Sequence, residues 1–487
     1  MSRTIKIIKA LVRFGFGLIL LLALLAFFKG CSGGNQMHVW HKEKLTEEFT
    51  REMKGDLVRN FGDYLELENR LFEQLDELVY SQTAKGQPLN RFSPGSLADP
   101  RNREPNWNRT FELTGRGAGA VLLLHGMSDS PYSLRALGQV LHEQGYHVIG
   151  LRLPGHGTAP SGMKYLSWGD MAAAVDLAVD HLATVPGGDR LHIIGYSNGA
   201  ALALDYSLRA LEEGTGQVPA SLVLVSPAIR VSATAILAGW KNSFSALPGL
   251  RGMAWLTLMN EFDPYKYNSF STNAGAQVHR GTWEVERRLN RLAEQPGGMQ
   301  SFPPVLAMKS TVDATVSTDA VVDNLLKLLP AERNELVLFD INRYAPIVST
   351  VLVSDPGPFT ERLLKEQNLP FAVSFVSNEN VDSRNVVVRR KNDGEPDVSS
   401  ITPLGVQWPA GVVSLSHVAL PFPPDDPIYG PENPEDGQIH LGSLAITGER
   451  GLLNIPADFL LRMRYNPFYG YLEQRVTHWI DNPDVEN

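Results

Sequence analysis

The sequence predicts an α/β fold, a mostly parallel sheet with helices on both faces, and three observations predict it. From Gly117 onward, short runs of consecutive apolar residues alternate with stretches of helical period. One run feeds directly into Gly195-Tyr196-Ser197-Asn198-Gly199, and a helical stretch follows at once. Two other runs end in glycine-containing turns, His125-Gly126 and Pro154-Gly155-His156-Gly157. Strand, helix, strand, helix in this rhythm implies right-handed crossovers, and in such sheets function collects at the carboxyl ends of the strands.

The runs at 120–124, 147–151, 191–194, 222–225 and 305–308 are apolar at successive positions, as expected of strands covered on both faces. Helical patterns occupy 132–144, 171–183 and 200–213. Between the last two core runs, residues 231–303 carry Trp240, Phe244, Met253, Trp255, Leu258, Met259, Phe262, Tyr265 and Tyr267, and read as a mostly helical cap. Residues 331–410 hold further strand-like runs at 336–339, 371–375 and 386–388, an insertion that extends the sheet. The final part, 418–487, is rich in Pro, Gly and aromatics and is expected to wrap back on the core, completing a catalytic unit over 115–487.

The 487 residues carry 44 Lys and Arg against 53 Asp and Glu, a net charge of −9 that gives a nucleic-acid partner no electrostatic support. Cys31 is the only cysteine, so no intrachain disulfide forms. Ahead of it, 14–28 is uncharged and apolar, with Arg3, Lys6, Lys9 and Arg13 before it and no acidic residue. That asymmetry keeps the N-terminal end in the cytosol and exports the rest of the chain. Residues 1–31 therefore read as a membrane anchor or signal segment: an uncleaved anchor, a lipoprotein signal ending at Gly30-Cys31, or a cleaved signal. The expected place is membrane-anchored with the catalytic part extracytoplasmic, as on a bacterial inner membrane facing the periplasm. Residues 41–82 recur in apolar character at helical spacing, with Glu68 interrupting the stripe. They read as an amphipathic helical stalk or as helices packed on the body. Residues 83–114 read as a linker or surface wrap.

Gly-x-Ser-x-Gly alone arises by chance. Strand before and helix after make it a strained strand-to-helix turn with Ser197 projecting at a helix N-terminus, where free N–H groups favour developing negative charge. A nucleophilic serine needs a base, and the base an orienting acid. Asp313 lies just past the run at 305–308, with Asp340 as second candidate; Asp319 suits a helix start better. Of the later histidines, His417 follows the strand-like run 412–416, His440 has no such run before it, and His478 sits beside Trp479 in a helical stretch. His417 is thus the expected base. The Asn198 N–H and the Met127 N–H, turned by His125-Gly126, form the expected oxyanion hole. His125 and His156 are read as structural. No metal or phosphate motif occurs, and Gly115-x-Gly117-x-Gly119 precedes a strand where a dinucleotide fingerprint follows one.

Together, His125-Gly126-Met127-Ser128-Asp129-Ser130-Pro131, Pro154-Gly155-His156-Gly157 and Gly195-Tyr196-Ser197-Asn198-Gly199 resemble the monoglyceride lipase/serine aminopeptidase-like branch of the α/β-hydrolases over about 117–330 and around His417. The resemblance implies a serine hydrolase cleaving esters of lipid-like or small acyl groups, without metal or cofactor, with a triad of Ser197, Asp313 and His417. A peptidase or thioesterase uses the same triad, and a catalytically silent membrane-tethered binding protein is the rival of another class. The sequence departs from the family pattern in its acid-to-histidine interval. The histidine is expected near residue 341, where Asp340-Ile341-Asn342 stands.

Overall fold

The computed structural model describes residues 37–214, 216–229, 251–313, 318–331, 333–344, 355–431, 441 and 463–482. Its centre is a ten-stranded sheet in the order β1-β3-β2-β4-β5-β8-β9-β10-β11-β12. The core strands are β2 (Ala120–Leu124), β3 (His147–Leu151), β4 (Leu191–Tyr196), β5 (Ser221–Val225), β8 (Val305–Ser310) and β9 (Glu335–Phe339). They pair in parallel, and every residue in them is buried. That is why these runs lack the alternation of a half-exposed strand. β1 (Phe111–Leu113) closes one edge antiparallel to β3. The insertion extends the other edge as expected: β10 (Ala372–Asn378) adds in parallel, then β11 (Asn385–Lys391) and β12 (Ser400–Gln407) add antiparallel.

Two apolar layers sandwich the sheet. One holds α1 (Phe61–Leu75), α3 (Trp168–Leu182), α4 (Asn198–Glu213) and α5 (Thr272–Ala293); the other holds α2 (Arg135–Glu143) and α8 (Tyr469–Asp481). Between α5 and α8 lie α6 (Thr318–Asp323) and α7 (Gly357–Lys365). Capping sets several boundaries. The Asn60 side chain accepts from Asp63 N at the start of α1, Ser167 and Asp170 form a capping box on α3, and Gly214 closes α4 in the left-handed region.

Of the two readings of 41–82, the structure takes the packed one. Phe61, Tyr64 and Leu67 of α1 join the same core as α3, so the segment is no free-standing stalk. Glu68, the break in the apolar stripe, is buried and faces the buried Arg152 at 2.9 Å, accepting also from Thr110 N and Oγ1. Glu48 bonds the same guanidinium at 2.9 Å, and the Tyr64 hydroxyl donates to the Arg152 carbonyl at 2.6 Å. Burying an arginine demands such partners, and the two carboxylates come from the N-terminal segment. Residues 83–114 are a wrap. Buried Arg91 donates to the carbonyls of Asp263 and Lys266, and Asn108 Nδ2 to that of Pro264.

The described part of the expected cap is less helical than its composition suggests. A single turn at Arg251–Ala254 and two short strands, β6 (Trp255–Thr257) and β7 (Phe270–Ser271), precede α5. α5 does not cover the site; its Val285, Leu289 and Leu292 pack into the main core, and Gly281 fits so tightly on Trp168 that a Cβ there would meet the ring at 2.1 Å. Trp240 and Phe244 lie outside the described residues, as does the apolar segment 14–28. Among the described residues no helix is long and apolar enough to cross a membrane.

Candidate active site

Ser197 caps α4 with φ 53° and ψ −112°, a conformation in which few non-glycine residues are found. The turn is held by its own backbone: Ser197 N donates to Val225 O at 2.9 Å, and Ala228 N to Ser197 O at 3.1 Å. Both glycines of the motif are required sterically. A Cβ on Gly195 would lie 2.4 Å from Ala200 Cα, and one on Gly199 would lie 2.0 Å from Leu124 O. The next residue, Asn198, opens the helix, so its N–H has no acceptor within the helix.

The structure brings Ser197, His417 and Asp313 together. His417 Nε2 is 3.1 Å from Ser197 Oγ, and its Nδ1 is 2.8 Å from Asp313 Oδ2. All three stand past strand carboxyl ends or on the loops that meet them, and His417 and Asp313 are buried. Burial alone would raise the Asp313 carboxyl, but the His417 ring and the Lys309 ammonium hold it well below the usual carboxylate range. The second candidate acid, Asp340, is instead paired with Arg343, which also bonds Asp355 at 3.0 Å. His478 lies in the last turn of α8, which packs into the same apolar layer as α2; His440 falls outside the described residues.

His417 does not follow a strand, contrary to expectation. Among the described residues, 412–416 join no ladder, and β8 and β10 occupy both sides of β9. Asn342 holds this segment in place of a ladder. Its N–H donates to Val413 O at 2.7 Å and its Nδ2 to Val412 O at 2.8 Å. Asn342 stands beside the place where the family pattern puts the histidine. The polypeptide therefore supplies a clamp there, and the imidazole arrives from the far end of the insertion. His417 then opens a short turn, His417–Ala419, with its carbonyl accepting from the Tyr196 hydroxyl at 3.3 Å.

The loop after β2 is shaped by two histidines. Leu153 N donates to His125 Nε2 at 3.1 Å, which puts the ring proton on Nδ1, 2.9 Å from Gly126 O. Burial lowers His125 well below its ordinary range, so the ring stays neutral. The Gly126–Met127 peptide is trans, so fixing its carbonyl on His125 turns the Met127 N–H the opposite way. Gly126 packs on Tyr196 and Ser197, leaving little room for any side chain. His156 lies 3.2 Å from Met127 Sδ through Nε2 and 3.0 Å from Pro154 O through Nδ1; burial holds it at about 4. These rings shape the loop. Further along it, Asp129 is raised by burial and bonds Lys266 Nζ at 2.7 Å, tying the loop to the segment before α5.

Among the described residues one cluster has metal-ligand chemistry, Glu112, His147 and His181. It satisfies itself. Both histidines reach Glu112 Oε1, at 2.7 and 2.8 Å, and Gly115 N reaches the second nitrogen of His147. Glu112 lies on edge strand β1, His147 at the start of β3 and His181 in the last turn of α3, at the opposite end of the sheet from Ser197.

Residues 115–340 match the family model for serine aminopeptidase, S33. Over those residues the chain is similar to that family, whose description agrees with the resemblance carried by the motifs around Ser197, His125 and His156. A thermostable monoacylglycerol lipase of Bacillus sp. (strain H-257) is 31% identical over 118 residues, 24% of this chain and 46% of the lipase. The chain thus spans about half the length of that curated relative. Among solved structures, one from the metagenome-derived lipolytic enzymes LipS and LipT is 21% identical, covering 48% of this chain and 87% of its own, with a TM-score of 0.39. The monoacylglycerol lipase of Paleococcus ferrophilus is 16% identical, covering 47% and 88%, with a TM-score of 0.37. Sequence reasoning named Ser197, Asp313 and His417, which the structure brings together, and expected Met127 and Asn198 as oxyanion donors. It passed over Lys309, though a charged residue ending an apolar run was visible.

Proposed function

We propose that this chain is an α/β-hydrolase, a serine-type carboxylic ester hydrolase acting on lipid-like acyl esters. The observation that carries the reading is the continuous hydrogen-bond path from Ser197 Oγ through both nitrogens of His417 to Asp313. His417 removes the Ser197 proton as Oγ attacks the ester carbonyl, and the Met127 and Asn198 N–H groups receive the oxyanion. Collapse breaks the ester C–O bond, and the proton held by His417 goes to the departing alcohol. Water then enters, gives its proton to His417 and releases the acid, restoring Ser197. Asp313 holds the ring in the tautomer with hydrogen on Nδ1 and stabilises the imidazolium.

Similarity to a monoacylglycerol lipase supports the lipid-like class, and the description of the matched family supports a peptidase as the second reading. A panel of monoacylglycerols, short p-nitrophenyl esters, acyl thioesters and aminoacyl p-nitroanilides separates them. We expect kcat/KM for the esters to exceed that for the anilides by at least about a hundredfold. A preference for anilides would overturn the ester reading.

We further propose that residues 14–28 anchor the chain, with the catalytic body outside the cytosol, from the basic residues that precede that apolar segment. Protease added to spheroplasts should digest the body. Full protection until the membrane is permeabilised would contradict this.

A further inference from the structure

The acyl-transfer steps make no use of a buried cation that stands beside the relay. Lys309 is the fifth residue of β8, fully buried, and its Nζ lies 2.6 Å from Asp313 Oδ2. The same oxygen accepts from His417 Nδ1 at 2.8 Å, so ammonium and imidazole stand two hydrogen-bond lengths apart. A lysine is rarely buried in full, and a carboxylate shared in this way does two jobs at once.

We propose that Lys309 is a positioning residue for the catalytic relay, and that its charge extends ester hydrolysis to lower pH. This inference rests on the serine-hydrolase reading. The geometry has two physical effects. First, the ammonium fixes the carboxylate in one rotamer, with Oδ2 aimed between Nζ and Nδ1. Second, a positive charge so close opposes a second positive charge on the ring. The other charged groups about the relay are matched. Asp340 and Arg343 pair at the end of β9, on the side of β8. Lys266 stands over the ring of Tyr196, which itself neighbours His417, and is paired with Asp129. Asp426, in the segment beyond His417, is paired with Arg135. Among the described residues, Lys309 is thus the cation seated directly on the catalytic carboxylate.

The test uses the full chain and p-nitrophenyl butyrate, with Lys309→Gln, Lys309→Met and Lys309→Arg. Gln keeps a donor near Oδ2 without the charge, and Met removes both. In folded Lys309→Gln we expect the acid limb of kcat/KM to move up by about one pH unit, with KM within about twofold. Lys309→Met should show the same move and an added loss of about ten- to a hundredfold in kcat, because the carboxylate is no longer held. Lys309→Arg should leave the limb within about half a unit of wild type. An unmoved acid limb in a folded, active Lys309→Gln chain overturns the proposal and leaves the ester-hydrolase reading intact. If neither neutral variant folds, Lys309→Arg decides: a limb raised by a full unit despite the retained charge overturns it, and an unmoved limb supports it. Absence of ester turnover and of fluorophosphonate labelling in wild type would overturn both readings together.

Discussion

Purified Ser197→Ala is expected to turn over short p-nitrophenyl esters several orders of magnitude more slowly than wild type. The relay would remain, with His417 still held by Asp313, but the oxygen that attacks would be gone. What is left is ground-state binding and the Met127 and Asn198 donors, which together supply only about 10³–10⁴-fold over water in triad hydrolases. The substitution is sterically modest, since Ala fills less space than Ser at a turn fixed by Val225 and Ala228. Folding should therefore change little, and the lost rate reports chemistry. Unchanged turnover in the variant would exclude the mechanism.

Asp313→Asn is expected to lower kcat by about 10⁴-fold while the chain remains folded. An amide in place of the carboxylate can donate to His417 Nδ1. That favours the tautomer with hydrogen on Nε2, where it faces Ser197 Oγ and cannot accept a proton. The structure adds a second consequence through Lys309. Asp313→Ala would leave a fully buried ammonium without its carboxylate, and breaking such a pair costs about 3–5 kcal/mol. Denaturant unfolding should register this loss in Asp313→Ala, and Lys309→Met in the same chain should recover part of it. The pH dependence has a definite sign. Asp313 is held below its unfolded value, so its contribution to stability is present above about pH 3.9 and is lost as pH falls through the lower folded value. Wild type should lose more stability across that acid window than Asp313→Asn does.

Much of the fold and site was legible because the chemistry is local in sequence. Strand, turn and helix around Ser197 lie within about two dozen residues, and Gly195 and Gly199 report on packing that any side chain would block. The buried strands declared themselves as unbroken apolar runs. Asp313 followed from its place after β8. His417 was found for a partly mistaken reason: 412–416 looks like a strand, but the segment is held by Asn342 and pairs with no neighbour. Long-range hydrogen bonding of this kind leaves no periodic trace. The same is true of α1. An amphipathic helix reads alike whether it stands free or packs, and only the Glu68–Arg152 pair, 84 residues apart in sequence, decides. Aromatic composition does not say which element an aromatic joins: Tyr265 stacks on Tyr132 after β2, Tyr267 lies beneath Arg91, Trp255 meets His41 edge-on, and none of the three is in a helix. Lys309 was passed over because a lysine at a strand end is commonly exposed, and nothing in the sequence says that this one is covered.

The central claim is that Ser197 is the nucleophile activated by His417, and active-site labelling with a fluorophosphonate followed by peptide mapping tests it most directly. One adduct per chain is predicted, on the peptide containing Ser197, absent from Ser197→Ala and strongly slowed in His417→Ala. An adduct on another residue, or labelling that persists in Ser197→Ala, would contradict it.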